Sequence, residues 1–384
     1  MRTFKYFISI LSTFLFFTIS FSQSLPVKGR DVWTIRQANE WYAKQPWLVG
    51  SNYSPAYAIN QLEFWQKESF DTTVINKELG WAERIGINTM RVFLHDLLYE
   101  QDPSGFFKRL DQFLSICKSH HIRPLLVLFD SVWDPFPRLG KQHEPIPGVH
   151  NSGWVQSPGA NALSDSTQHL RLKKYVIALV SRFGKDSRVL AWDVWNESDN
   201  TNGGEYHKQE PKNKVQIVDS LLIKVFQWAR SVNPIQPLTA GVWQGDDWSS
   251  FDKLSLNAKI IISNSDIISF HCYENEKDFE KRLMSLTNYN RPIICTEYMA
   301  RPRSSTFQNI LPLAKKYNLG VYNWGFVEGK TQTIYPWDSW DKAYTAEPQV
   351  WFHDIFRKDG TPYRQEEVDL IKKLTGRDHS LKTY

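Results

Sequence analysis

Two glutamates close similar stretches of the chain. Residues 189–197 read Val-Leu-Ala-Trp-Asp-Val-Trp-Asn-Glu, an apolar run that ends in an amide and a carboxyl, Asn196 and Glu197. Residues 292–298 read Pro-Ile-Ile-Cys-Thr-Glu-Tyr, a second apolar run that ends on Glu297. Two carboxyls held face to face can cleave a glycosidic bond: one, kept protonated, gives its proton to the departing oxygen, while the other, ionised, attacks carbon or activates water. The plainer reading is a pair of solvated carboxylates that do no chemistry, so what matters is whether the fold brings them together.

Other chemistries lack their parts. There is no H-x-H metal pair, no H-E-x-x-H, no G-x-S-x-G elbow and no phosphate loop, so neither a metal nor a cofactor is expected. Cys117, Cys272 and Cys295 are an odd set without metal-site spacing. Cys272 and Cys295 fall on neighbouring predicted strands and could pair, but buried free thiols are the favoured reading. The formal charge of +5 drops to +3 once Arg2 and Lys5 leave with an export segment, too weak for a nucleic-acid binder. Hydrophobic residues at 41% and charged residues at 23% exclude a disordered chain. The unusual feature is 16 Trp, 16 Tyr and 23 Phe, with many of the tryptophans in Gly-, Asp- and Pro-containing stretches. Flat aromatic faces in loops suit the C–H faces of sugars, so a carbohydrate partner is expected.

These residues need a frame. Apolar runs at 47–52, 89–94, 124–130, 189–196, 238–243, 267–271, 293–297 and 320–324 predict eight strands. Helical spacing lies between them: Ile75, Leu79 and Ala82; Phe106, Leu110, Phe113 and Cys117; Val176, Leu179 and Phe183; Val218, Leu221, Leu222 and Val225. Further helices are predicted at 279–286, at 306–316 with a kink at Pro312, and at 364–374, with Gly86 and Gly184 as C-caps. Eight strands alternating with helices predict α/β architecture, a single (β/α)8 TIM barrel with long βα loops over residues 46–376. A lead segment at 23–45 precedes it and a tail at 377–384 follows. Function in such barrels gathers at the C-terminal ends of the strands, where the ends of strands four and seven face each other. The longest loop, 131–168, carries Trp133 and Trp154 and has the length of a functional wall or lid.

With this strand order and these strand ends, the chain resembles the TIM-barrel clan of retaining glycoside hydrolases, and most of all the family 5 type, the cellulase and mannanase relatives. The resemblance implies Glu197 as acid/base, Glu297 as nucleophile and Asn196 as donor to the sugar 2-hydroxyl. It places Arg91 beside the nucleophile to keep it ionised, Tyr273 on the nucleophile, His271 on the acid/base or substrate, and Trp324 under the reacting sugar. Trp337, in the aromatic stretch with Tyr335, Asp338 and Trp340, extends that wall. There are two departures. The His usual after strand three is replaced by Phe129-Asp130, with His95 or His150 as substitutes. Ser198 stands where Pro is common after the acid/base. Asp130 reads equally as a sugar-hydroxyl ligand or as a loop cap. The expected activity is retaining hydrolysis of β-linked glucan, mannan or xylan; a weakly catalytic carbohydrate-binding barrel and a transglycosidase are the competing readings. Long loops after strands three and eight favour a pocket and exo action. Oligomeric state is not legible.

Arg2 and Lys5 precede an apolar run at 7–21, and Ser20 and Ser22 supply the small residues before a cut. Residues 1–22 are therefore expected to be a cleaved signal peptide, with a secreted or periplasmic product and no membrane attachment afterwards. Mass spectrometry of the exported protein is expected to give Gln23 as the first residue.

Overall fold

In the computed structural model, residues 29–377 are described; the expected signal peptide and nearly all of the expected tail lie outside them. Parallel strands form where apolar runs can be buried on both faces. Strand one is Val49–Asn52, strand two Thr89–Phe93, strand three Leu125–Val127 and strand four Ala191–Asp193. Strand five comes in two pieces, Leu238–Thr239 and Gly241–Val242; strand six is Ile268–His271, strand seven Ile293–Tyr298 and strand eight Gly320–Asn323. Every pairing is parallel, and strand one lies between two and eight. The first piece of strand five pairs with strand four and the second with strand six, so the ring closes through Ala240 into a (β/α)8 barrel. The ladders are shorter than the apolar runs, but backbone bonds carry the pairing further. Leu190 N donates to Pro124 O, Val194 N to Thr239 O and Asn196 N to Phe129 O, all within 2.9 Å.

Side chains alternate between the barrel interior and the helix layer. On strand two, Met90 and Val92 join the outer core, while Thr89, Arg91 and Phe93 turn inward. Strand seven breaks this rule. Ile294 faces inward and Cys295 outward, and strict alternation would send Glu297 outward too. The register gains a residue here: Phe270 opposes Cys295 but His271 opposes Glu297, and Cys295 opposes Val321 while Tyr298 opposes Asn323. One extra residue reverses every following side chain, which brings Glu297 inward.

The helix layer consists of Thr72–Arg84, Pro103–Ser119, His169–Phe183, Lys214–Arg230, Leu256–Asn264, Glu276–Leu286, Phe307–Lys316 and Gln365–Thr375. Asp71 caps the first by accepting from Thr73 N and Val74 N. Gly86 ends it at φ +86, whereas Gly184 ends the third at φ −69, without the left-handed turn expected of a C-cap glycine. Helix Leu256–Asn264 has no clean amphipathic stripe in the sequence and is not among the predicted elements; Ser255 caps it by accepting from Ala258 N. The lead helix Ile35–Tyr42 closes the bottom of the barrel. Ala38 packs there with Leu48, Ile267 and Ile294, and Gly320 N donates to Tyr42 Oη. Among the described residues no helix is long and apolar enough to cross a membrane, and the three cysteines are buried free thiols.

The loop after strand seven is fastened to the end of the chain. The Arg301 guanidinium forms two bonds to the Glu367 carboxylate and others to the carbonyls of Trp351, His353 and Asp354, and both charged groups are buried. Removing one partner of such a pair strands a charge at a cost of about 3–5 kcal/mol. Glu367→Ala is expected to lose about that much stability, as read from urea midpoints at constant m.

Candidate active site

Strand two delivers Arg91 to the barrel axis, fully buried. Its Nη1 donates to Asn52 Oδ1 at 2.9 Å and to Glu297 Oε1 at 2.7 Å. Nε and Nη2 donate to Asp193 Oδ2 at 3.0 and 2.8 Å, and Nη2 also reaches Asn196 Oδ1 at 2.7 Å. Burial works against the charge, but Asp193 and Glu297 outweigh it and hold the guanidinium above its ordinary pKa.

Glu297 takes a second bond, 2.7 Å, from the Tyr273 hydroxyl to Oε2. Tyr273 lies two residues past the end of strand six and still reaches. Within strand six, His271 alternates inward, and its Nδ1 shares a 2.9 Å hydrogen bond with Glu197 Oε1 while lying 3.6 Å from Glu297 Oε2. The ring thus sits between the two carboxyls. It has room because strand five presents Gly241 there, where a Cβ would come within 3.0 Å of His271 Nε2. Glu197 Oε2 accepts from Asn200 Nδ2 at 2.7 Å. The Glu197 backbone is left-handed, φ +42, a conformation a non-glycine residue adopts at a cost.

The two carboxyls are electrostatically unequal. Burial raises Glu197 to about 7, with Asn200 and Arg91 opposing. Burial also raises Glu297 and the neighbouring Glu197 adds to the rise, but Arg91 and the Tyr273 hydroxyl pull against it. Because Arg91 bonds Glu297 directly and Glu197 not at all, Glu297 is the one that stays ionised while Glu197 holds the proton. Burial lowers His271 to about 4, so its ring is neutral.

Above this cluster opens a 510 Å³ cavity, within the size range of small-molecule sites. Asn196, Glu197, His271, Tyr273, Glu297, Trp324 and Trp337 all line it. The Trp337 ring stands edge-on to Tyr273, centroids 5.2 Å apart. Asn196 is gripped on both sides, its Oδ1 by Arg91 and its Nδ2 donating to Asp130 Oδ1 at 2.9 Å. Asp130 lies behind the wall. Its carboxylate accepts from Val132 N, Asn196 Nδ2, Trp154 Nε1 and Gln61 Nε2. It caps its loop and aims Asn196 and Trp154, leaving no oxygen for a sugar. Of the two candidate histidines, His150 lines the cavity, whereas His95 is buried at the start of helix Asp96–Gln101.

Several contributors were not read from the sequence. Asn52 ends strand one, where barrel function collects, and Asp193 is an acid inside an apolar strand; both signals were present. Asn200 and Arg303 line the cavity from loops with no periodic signal, and Trp243 from the end of the predicted strand 238–243. Glu210 and Lys214, buried one turn apart, lock the walls: Glu210 Oε1 accepts from Lys214, Gln156 and Asn202, and Lys214 Nζ donates to Ser131 O.

The family model described as Cellulase (glycosyl hydrolase family 5) matches residues 65–330. The chain belongs to glycoside hydrolase family 5. No protein of curated function matches it in sequence. Among solved structures, it is similar to the exo-β-1,4-mannosidase of an Opitutaceae bacterium, strain TAV5, at 18% identity and TM-score 0.55, over 86% of this chain and 60% of that one. The chain thus spans less than two thirds of that mannosidase. It is also similar to the family 5 mannosidase of Rhizomucor miehei, at 17% identity and TM-score 0.52, over 87% and 94% of the two chains. A third is the endo-β-1,4-mannanase of Thermotoga petrophila, at 14% identity and TM-score 0.53, over 90% and 79%. These likenesses speak for the fold.

One atom each from Glu197, His271 and Glu297 lies within 4.8 Å of the others, a spacing that could hold a metal ion. In this family 5 site the position beside Glu297 already has its cation, since Arg91 bonds Oε1 and Tyr273 covers Oε2.

A glycoside hydrolase with this pair is expected to lose kcat/KM on the alkaline side through about pH 7, as Glu197 gives up its proton. Tyr273→Phe removes a donor to a carboxylate, an interaction of about 1.5–3 kcal/mol, or roughly 10- to 100-fold in kcat. Because the lost bond lowers the Glu297 pKa, the acidic limb of the variant's pH profile is expected to move upward while the alkaline limb stays.

Proposed function

We propose that this family 5 enzyme is an exported, retaining β-glycoside hydrolase acting on β-mannan- or β-glucan-type saccharides by double displacement. The observation that carries the reading is the spacing of the unequal carboxyls: oxygens of Glu197 and Glu297 lie within 4.8 Å of one another. A gap that small supports direct attack by a carboxylate, since inverting enzymes keep their carboxyls roughly 6.5–9.5 Å apart to seat a water. In the first step the Glu297 carboxylate bonds to the anomeric carbon as the glycosidic C–O bond breaks, and Glu197 gives its proton to the leaving oxygen. In the second step Glu197 takes a proton from water, whose oxygen bonds to the same carbon and releases Glu297. Arg91 and Tyr273 hold the nucleophile, and Asn196, which lines the cavity and keeps a second Nδ2 hydrogen, is assigned to the sugar 2-hydroxyl. The mannosidases and mannanase of similar fold support the mannan side; xylan stays within the reach of the chemistry. Export to the periplasm or medium rests on Arg2, Lys5 and the apolar run that follows them.

Aryl β-mannosides and β-glucosides test this directly. NMR of the first-formed sugar is expected to show the β anomer. Glu197→Ala should slow turnover by about 10²–10⁴-fold and regain it with azide, giving a β-glycosyl azide. Glu297→Ala with azide should instead give the α-azide from an activated donor. An α sugar as the first product of the wild type would overturn the retaining mechanism.

A further inference from the structure

The proposed hydrolysis fixes a direction in the pocket. The departing oxygen receives the Glu197 proton, so the leaving part of the substrate lies over Glu197, and the sugar under attack extends the other way, past Glu297. Around Glu197 the wall is Asn200, Asn202, Gly203, Trp243 and Gln244, with Gly203 and Gln244 exposed. That end opens to solvent. At the opposite end, over strands eight, one and two, stand His150, Asn151, Trp154 and Trp324, the first three buried. Trp154 is set edge-on against Phe93 and Trp324 and is held by Asp130.

This closed end is built from two distant loops. The loops after strands three and eight meet across the mouths of strands one and two. Asn151 N donates to Thr331 O at 2.8 Å, His150 N to Ser339 Oγ at 3.0 Å, and Tyr344 N to Gly148 O at 3.0 Å. Gln332 Nε2 donates to the carbonyls of Ile146 and Val149, and His150 Nδ1 bonds Tyr335 O at 2.8 Å. Gly148 has φ +73, and a Cβ there would lie 1.8 Å from Tyr344 O, so the contact admits only glycine. Behind Trp154 and Trp324 lies a crevice between Asn52, Phe93, Thr331 and Asp354 with a volume of 20 Å³. That is room for one water and not for a pyranose.

Resting on the glycosidase reading, we infer that the site is a dead end holding one sugar, and that the enzyme removes single sugars from the non-reducing end of β-linked oligosaccharides. The bridge between the third and eighth loops is the element that sets this. The leaving chain can be long, because it runs out past Trp243 and Gln244.

The test uses the full-length mature enzyme with β-1,4-mannohexaose and β-1,4-glucohexaose, each labelled at the reducing end, beside the same compounds methylated on the terminal non-reducing 4-hydroxyl. The expected result is a labelled pentasaccharide first and a ladder that shortens one sugar at a time, with the monosaccharide the only sugar set free and turnover of the capped compounds lost. Labelled di- or trisaccharide appearing before the pentasaccharide, or cleavage of a capped hexasaccharide, would overturn the dead end and leave the glycosidase standing. Absence of turnover on these and on the aryl glycosides would remove both.

Discussion

A guanidinium has five N–H groups in a rigid plane, and in this barrel each of Arg91's has a destination: Asn52 on strand one, Asp193 twice and Asn196 on or after strand four, and Glu297 on strand seven. A buried cation must be compensated on the spot. Compensating this one pulls three strands' polar side chains to one point on the barrel axis. Asn196 is oriented by the same group that steadies Glu297, so the ends of strands four and seven share one support. A lysine would keep the charge but not the fan of directions, and Asp193 or Asn196 would be left unpaired.

The placement of both cavity glutamates depends on local departures from regular strand geometry. Glu297 enters the barrel because of one extra residue in strand seven. After Asp193, Val194 and Trp195 both pack outward, and the chain then turns through the left-handed backbone of Glu197. Such distortions persist only where the surroundings over-determine them. Here the Arg91 bonds, the Asn200 bond and the His271 ring do so.

This explains what could be read in advance. The apolar runs mark all eight strands, because burial on two faces leaves a strong signal in composition, and two of their ends point to Glu197 and Glu297; Arg91, His271 and Tyr273 come from the family resemblance. A period-two reading does not see a bulge, which adds a residue without changing the letters around it. It also misses the split of strand five at Ala240 and leaves helix Leu256–Asn264 unassigned, because its apolar residues form no single stripe. Asp130 was ambiguous because a carboxyl at a strand end has the same sequence signature whether it serves ligand or loop. The meeting of the third and eighth loops depends on backbone carbonyls, which every residue type supplies.

His271's burial has a consequence for the substrate. With that ring neutral and Glu197 protonated, the charges in contact at the floor of the cavity are Arg91 against Asp193 and Glu297, an excess of one negative charge on buried side chains. A resting neutral sugar gains little from it. A sugar whose ring oxygen and anomeric carbon are acquiring positive charge gains much more, since the field is already oriented by buried groups. The same imbalance favours ring-nitrogen sugar mimics that carry a proton over their neutral counterparts, so the pocket selects for charge development as well as for shape.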